Sequence, residues 1–93
     1  MINKLDYDNK GTYKVMTSHG TYYIIDMNDS RGKRIPAEGR GKLEADNDWF
    51  AIYSIQCEVG KPMRFECRGI DPNDWYTWRI STTVTSIEEY SDI

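Results

Sequence analysis

Residues 11–27 constrain the fold of this chain more than any other stretch, because they keep a period of two on both sides of a short interruption. The segment reads GTYKVMTSHGTYYIIDM, and the interruption is Ser18, His19 and Gly20. β-Branched and aromatic residues fill both arms, and such residues pack well on a pleated, half-buried surface. Gly20 can adopt a positive φ in a short turn without a Cβ clash. The pattern predicts a β-hairpin.

Later segments also have the composition or the alternation of strands, and each is bounded by turn-forming residues. The predicted strands are residues 33–35, 48–55, 63–68, 75–81 and 84–90. No window of twelve residues shows helical spacing. We therefore expect six or seven short strands and no long helix.

The connections between these strands are predicted from clusters of Gly, Pro, Asn, Asp and Ser. Residues 28–32, 56–62 and 69–74 form such clusters, and the second of them contains Cys57. Residues 33–35 are expected to form a short edge strand that Pro36 ends, because proline cannot donate to a ladder. Residues 1–10 are predicted to be a polar lead-in anchored by Leu5 and Tyr7.

Two of the strands indicate which side chains face the core. In residues 63–68, Met63, Phe65 and Cys67 alternate with charged residues and are predicted to point inward. Residues 48–55 have apolar side chains on both faces, with Phe50 and Ile52 on one of them, which indicates a central strand or an exposed aromatic patch. The last predicted strand breaks the period, because its apolar residues 84 and 87 are three apart, and this indicates a bulge or tight turn near residues 82–83 or 86.

A chain of 93 residues supports one domain, so residues 1–93 are predicted to be a single all-β unit. The strand count and spacing favour a small antiparallel barrel of SH3-like or OB-like type, with a compact sandwich as the alternative. The barrel is favoured because closure removes the unpaired edges of an open sheet. Residues 37–47 contain two glycines and alternating charges, and we expect them to form a mobile loop.

The charge of the chain is uneven. Its net charge is −3, which predicts no general attraction to nucleic acid or to an anionic membrane. Residues 31–42 are the exception, because they hold five basic residues and one acidic residue. The basic residues are Arg31, Lys33, Arg34, Arg40 and Lys42. Trp49 and Tyr53 are possible neighbours of these residues, and cations beside exposed rings suit single-stranded nucleic acid or nucleotides. The simpler interpretation is a solvated, basic loop.

The aromatic residues suggest a second kind of surface. The candidates for a protein interface are Trp49, Tyr53, Trp75, Tyr76 and Trp78. A barrel this small cannot bury both faces of the strand that carries Trp75 and Trp78, so at least one of these two side chains is expected outside. Exposed Trp and Tyr dominate many protein interfaces, although large rings can equally fill a core that has few aliphatic residues.

Residues for catalysis and metal binding are scarce. His19 is the only histidine, and it lies in the tip of the first hairpin, where a solvated side chain is the simpler interpretation. The two cysteines match neither a disulfide scaffold nor a zinc site, which takes about four ligands. We therefore expect no enzyme, no cofactor and no metal.

No apolar stretch reaches the ~20 residues that a membrane span requires, and the first residues lack the features of a signal peptide. The expectation from the sequence is therefore a protein that stays in the cytoplasm, without membrane contact.

Several short strings of the chain resemble small proteins of actinobacterial phages that have no established activity. The strings are V-x-T-S-x-G-T-x-Y-x-I-D-M at 15–27, R-I-P at 34–36, V-G-K-P at 59–62 and R-I-S-T-T-V-T-S-I at 79–87. The resemblance assigns no functional residue. It implies a setting, namely a phage accessory protein in the cytoplasm of a host bacterium.

Two functions follow as hypotheses. The first is a non-enzymatic binding module that attaches to a host or virion protein, or to a second copy of itself, through the aromatic residues. The second is a binder of nucleotides or single-stranded nucleic acid that uses the basic residues of 31–42.

Overall fold

The computed structural model describes residues 2–5, 9–37, 49–68 and 77–90, which form seven β-strands and no helix. The strands are β1 (Lys4–Leu5), β2 (Thr12–Thr17), β3 (Tyr22–Asp26), β4 (Arg31–Ile35), β5 (Phe50–Glu58), β6 (Pro62–Cys67) and β7 (Thr77–Glu89). The predicted turn at 69–74, residues 38–47 of the loop predicted at 37–47, and the possible anchor Tyr7 lie outside the described residues.

Strands β2 to β7 form a closed antiparallel barrel, and β1 adds to the side of β5. Each strand from β2 onward pairs with the next one in the chain, and β7 returns to pair with β2. The chain therefore runs up and down around the barrel without crossing it. The predicted all-β barrel is confirmed.

Strand β7 closes the barrel because its two halves have different neighbours. Its first half pairs with β6 as far as Thr83 opposite Pro62, and its second half pairs with β2 from Val84 opposite Thr17. Both ladders contain a register shift at this point, so the predicted bulge is confirmed. The prediction of separate strands at 75–81 and 84–90 was wrong, because a bulge absorbs the change of period without ending the strand.

The first hairpin has the predicted form, with β2 and β3 paired antiparallel and Val15 opposite Tyr23. Gly20 has φ +89° in the turn, where its N–H donates to the Thr17 carbonyl at 3.1 Å. On β3 both faces are buried. Ile24, which points away from the barrel interior, is only 6% exposed and lies between Lys14 and Lys33 in the register.

Strand β4 is longer and more central than predicted. It starts at Arg31 and pairs along its length with β3 and, through Arg31 and Gly32, with β5, so the predicted edge strand was wrong. The turn predicted over 28–32 is confirmed for residues 28–30, but its last two residues belong to β4. The reason is Gly32, where an added Cβ would lie 2.8 Å from the Ile52 Cδ1 atom. The missing side chain leaves room for the Ile52 side chain of β5 to pack over β4. The strand ends at Ile35, before Pro36, as predicted.

Strand β5 extends three residues beyond its predicted end. A register shift between Ile52 and Ser54 changes which residues face inward, so that Ile52 and Cys57 are both buried. The sequence prediction placed Cys57 in a loop, and this was wrong, because a bulge near the middle of the strand was not visible as a change in pattern.

The core lies inside the barrel and is lined most tightly by β6, whose Met63, Phe65 and Cys67 are fully buried, as predicted. The N-terminal segment covers one side of this core. Leu5 is 1% exposed in β1, and Ile2 forms a bridge with Ile87 of β7. Leu5 is thus a buried anchor, as the sequence indicated.

Candidate binding surfaces

Arg31, Lys33 and Trp49 form a cluster on the outside of the barrel, which we call the Trp49 cluster. Arg31 and Lys33 are two residues apart on β4, so their side chains point to the same side of the sheet. The Cζ atom of Arg31 lies 4.1 Å from the centre of the Trp49 ring, and the Nζ atom of Lys33 lies 4.5 Å from it. Trp49 is 40% exposed. Two cations therefore share one accessible indole.

Asp26 fixes the orientation of Arg31. Its Oδ2 atom accepts a hydrogen bond from the Arg31 Nε atom at 3.0 Å, while its Oδ1 atom accepts from the N–H groups of Asn28 at 3.0 Å and Asp29 at 3.2 Å. Burial raises the pKa of Asp26, but the hydrogen bonds from Asp29, Arg31 and Asn28 outweigh it and leave the pKa below its ordinary value. The carboxylate stays ionised and holds the guanidinium in place.

A small cavity of about 120 Å³ lies beside the Trp49 cluster. Arg31 and Tyr53 contribute to its walls, and the core residues Ile25 and Ile52 also line it. Its volume is below the roughly 300 Å³ at which pockets for drug-sized ligands begin, so it suits a single small group.

A second cluster, which we call the Trp78 patch, consists of Arg64, Trp78 and Ile80 on β6 and β7. The Arg64 Cζ atom lies 4.3 Å from the centre of the Trp78 ring, and Arg64 is directly opposite Ile80 in the register. Trp78 is 46% exposed and Ile80 is 67% exposed. The patch therefore presents two large apolar side chains and a guanidinium to solvent.

The structure places the predicted aromatic residues on two surfaces. Trp49 immediately precedes β5 and Trp78 lies on β7, with β6 between these strands. Tyr53 is 45% exposed on β5. The expectation that at least one of Trp75 and Trp78 would be outside is confirmed by Trp78, while Trp75 and Tyr76 lie outside the described residues.

The predicted basic residues are also divided. Arg31 and Lys33 meet Trp49, which the sequence suggested as their neighbour. Arg34 is opposite the buried Tyr23 and is itself partly buried, so it lies on the inward-facing side of β4. Arg40 and Lys42 lie outside the described residues.

Sequence reasoning missed Ile80 and Arg64 as members of a site. The alternation of Trp78 and Ile80 against Arg79 was visible, but it did not tell which set faces the core. Arg64 was predicted to point outward, and only the register shows that it is opposite Ile80. The missing information was the pairing of β6 with β7.

The two cysteines and the histidine lie in different environments. Burial raises the pKa of Cys57 to about 12, and burial also raises that of Cys67, although Arg79 counteracts part of this effect. Both thiols are free and buried. His19 lies exposed in the turn between β2 and β3. Within the described residues, no three His, Cys, Asp or Glu side chains are grouped so as to hold a metal ion.

The chain is thus a small all-β barrel that carries the Trp49 cluster and the Trp78 patch on its outer surface. No family model, curated protein or solved structure matches this chain. In the part of the chain that the structure describes, no helix has the length and apolar character to cross a membrane.

Proposed function

We propose that this protein is a non-catalytic binding module that attaches to another protein through the Trp78 patch. The exposure of Ile80, at 67%, beside a half-exposed Trp78 carries the proposal. Grouped large apolar side chains on the surface of a small protein commonly mark an interaction site, and Trp and Arg are the residues most often found at its energetic centre.

Arg64 supports this function because it lies over the Trp78 ring at 4.3 Å. A guanidinium in this position restricts the indole before a partner arrives. Less side-chain entropy is then lost on binding, which favours affinity.

The charge around the patch indicates the chemistry of the partner. The outward charged residues of β6 are Arg64 and Glu66, and the exposed Arg68 directly follows the strand, so this row carries one more positive than negative charge. We therefore propose a partner that has an apolar centre and carboxylates at its rim. The resemblance to phage proteins suggests a host or virion protein in a bacterial cytoplasm.

Photo-crosslinking tests the proposal directly. A photoreactive phenylalanine analogue replaces Ile80, and in a matched control it replaces Thr85, which is also exposed on β7. We expect a specific crosslink from position 80 that position 85 does not give. With the identified partner purified, Trp78→Ala and Ile80→Lys should each weaken binding at least ~10-fold, as expected for residues at the centre of an interface, whereas Thr85→Lys should change it less than about twofold.

Other results would contradict the proposal. If crosslinks from positions 80 and 85 are the same, or if purified partner binds Ile80→Lys normally, the Trp78 patch is not the interface. If the only crosslink joins two copies of this chain, the patch is a homodimer interface and not a site for a different protein.

A further inference from the structure

We infer that the Trp49 cluster is a second binding site, for single-stranded nucleic acid, in which a base stacks on Trp49 and phosphates contact Arg31 and Lys33. The cluster is separate from the Trp78 patch and the inference does not depend on that patch. Single-strand binding proteins combine an aromatic ring for the base with cations for the backbone. This cluster holds two cations within 4.5 Å of the centre of one indole, and 40% of that side chain remains exposed for a base.

The two cations are arranged to meet different phosphate groups. The Cα atoms of residues two apart on one strand are separated by about 6.6 Å. Arg31 and Lys33 are such a pair, and both remain beside the same indole. An extended strand whose base lies on Trp49 can therefore place one phosphate near each of them.

Arg31 is oriented for this role by its pairing with Asp26. That carboxylate is bound to the Nε atom at 3.0 Å, on one side of the guanidinium. In the part of the chain that the structure describes, no hydrogen bond occupies the Nη atoms, which are the atoms that commonly pair with phosphate oxygens. The Arg31 side chain is also 42% exposed, so a phosphate can reach it.

A neighbouring ring extends the site. Tyr53 is 45% exposed and shares with Arg31 the wall of the 120 Å³ cavity. This volume accommodates one planar group and is too small for a whole nucleotide. A second base or a sugar fits beside Tyr53, which makes a strand of several nucleotides a better ligand than a free nucleotide.

Single strands are favoured over duplexes because stacking on a side chain requires a base that is not already stacked in a helix. The cluster has only two cations, and the carboxylate of Asp26 offsets part of the charge of Arg31. With two phosphate contacts, the logarithm of the association constant should fall against log salt with a slope of about −1.4. Binding is then weak and measurable mainly at low salt.

Fluorescence anisotropy of a labelled thymidine strand of about 12 nucleotides, at ~50 mM salt, tests the inference. We expect Trp49→Ala to weaken binding roughly five- to 150-fold, the range of a lost base stack, and Trp49→Phe to retain most of the affinity. Lys33→Glu should weaken binding at least about 10-fold, and Lys33→Ala should reduce the salt slope by about 0.7. Circular dichroism confirms that each variant is folded.

Lys61→Glu is the matched control. Lys61 has a 71% exposed side chain in the turn between β5 and β6, and the substitution changes the net charge by the same amount as Lys33→Glu. We expect it to alter affinity by less than about threefold, because β5 separates it from Trp49 by roughly 26 Å, which is beyond the screening length. Competition with thymidine monophosphate distinguishes a strand from a free nucleotide, and the strand should compete far better.

Three results would overturn the inference. The first is no binding of the strand at low salt. The second is an equal loss in Lys61→Glu and Lys33→Glu, which would show that only net charge matters. The third is duplex binding as tight as single-strand binding, because it would exclude stacking on Trp49.

Discussion

The ring of Phe50 is stacked on the ring of Phe65, with 5.6 Å between the ring centres and 7° between the ring planes. Tyr23 meets Phe65 edge-on at 5.8 Å, and the Arg79 Cζ atom lies 5.7 Å from the centre of Phe50. Phe65 is fully buried, whereas Trp49, the residue before Phe50, is exposed. The barrel thus separates aromatic rings that build the core from rings that are available to partners.

Phe65→Ala should lower the free energy of unfolding by about 3–5 kcal/mol, because it removes a buried ring and leaves a cavity. That loss is comparable with the whole stability of many small domains, so the variant should be largely unfolded or close to it. Urea unfolding followed by circular dichroism measures the change. Phe65→Leu should lose less stability, and a loss of under ~1 kcal/mol in Phe65→Ala would show that the ring is not central to the core.

Asp26→Asn should destabilise the protein at neutral pH by roughly 1–3 kcal/mol, because it weakens hydrogen bonds that involve a charged group. The pKa of Asp26 is lower in the folded protein than its ordinary value of 3.8, which we take for the unfolded chain. Its contribution is therefore present above this value and is lost as pH falls through the lower, folded pKa.

The measurement is urea unfolding of both proteins at a series of pH values. The difference between wild type and Asp26→Asn should be largest at neutral pH and should shrink as the pH drops below about 4. If the difference in unfolding free energy stays constant into strong acid, the charge of Asp26 does not stabilise the protein through these hydrogen bonds.

Neither thiol should react with a thiol reagent in the native protein at mildly alkaline pH, because Cys57 and Cys67 are at most 1% exposed and burial raises the pKa of both. Both should react rapidly in denaturant. The rate of colour development with a chromogenic disulfide reagent measures this. Rapid reaction of one thiol in the folded state would place that cysteine outside the core.

The raised pKa values of these two thiols predict that the protein becomes less stable at alkaline pH. For Cys57 the pKa is about 12 in the folded protein against an ordinary value of 9.0, so the unfolded chain releases its proton first. Stability should fall as pH rises above about 9. The fall should be smaller in a folded Cys57→Ala, Cys67→Ala variant, which isolates the thiols from other groups that titrate in this range.

Gly32→Ala should destabilise the barrel by about 1–3 kcal/mol through overpacking. The new Cβ atom would lie 2.8 Å from Ile52 Cδ1, 3.1 Å from Phe50 Cε2 and 3.2 Å from Ile25 Cδ1. Thermal unfolding measures the effect, with Thr85→Ala as an exposed control. An unchanged transition would show that these three side chains do not pack over Gly32 as closely as the structure indicates.

The elements that the sequence predicts well are those with an unbroken period of two. The first hairpin and β6 meet this condition, and their inward residues Val15 and Phe65 are buried. Strands β5 and β7 do not, because a bulge in each reverses the alternation within a continuous strand. This is why Cys57 was assigned to a loop and β7 to two strands.

The residues of the candidate surfaces were largely predictable from the sequence, but their arrangement on the sheet was not. Arg31, Lys33 and Trp49 were identified as candidates, but β4 and Trp49 are separated in the chain and only the ladder between β4 and β5 brings them together. Ile80 was missed because an isoleucine in a predicted strand normally indicates the core. The register places Arg79 opposite Phe65 on the inner face of the barrel. Ile80, the next residue in the chain, therefore points outward and is exposed.

The free energy of unfolding of the Trp78→Ala, Ile80→Ala double variant tests most directly whether the barrel holds binding side chains outside its core. Urea unfolding should give a value within about 1 kcal/mol of wild type, since the two side chains are 46% and 67% exposed. A loss of about 3 kcal/mol or more would show that Trp78 and Ile80 belong to the core, and would contradict the assignment of this patch to binding.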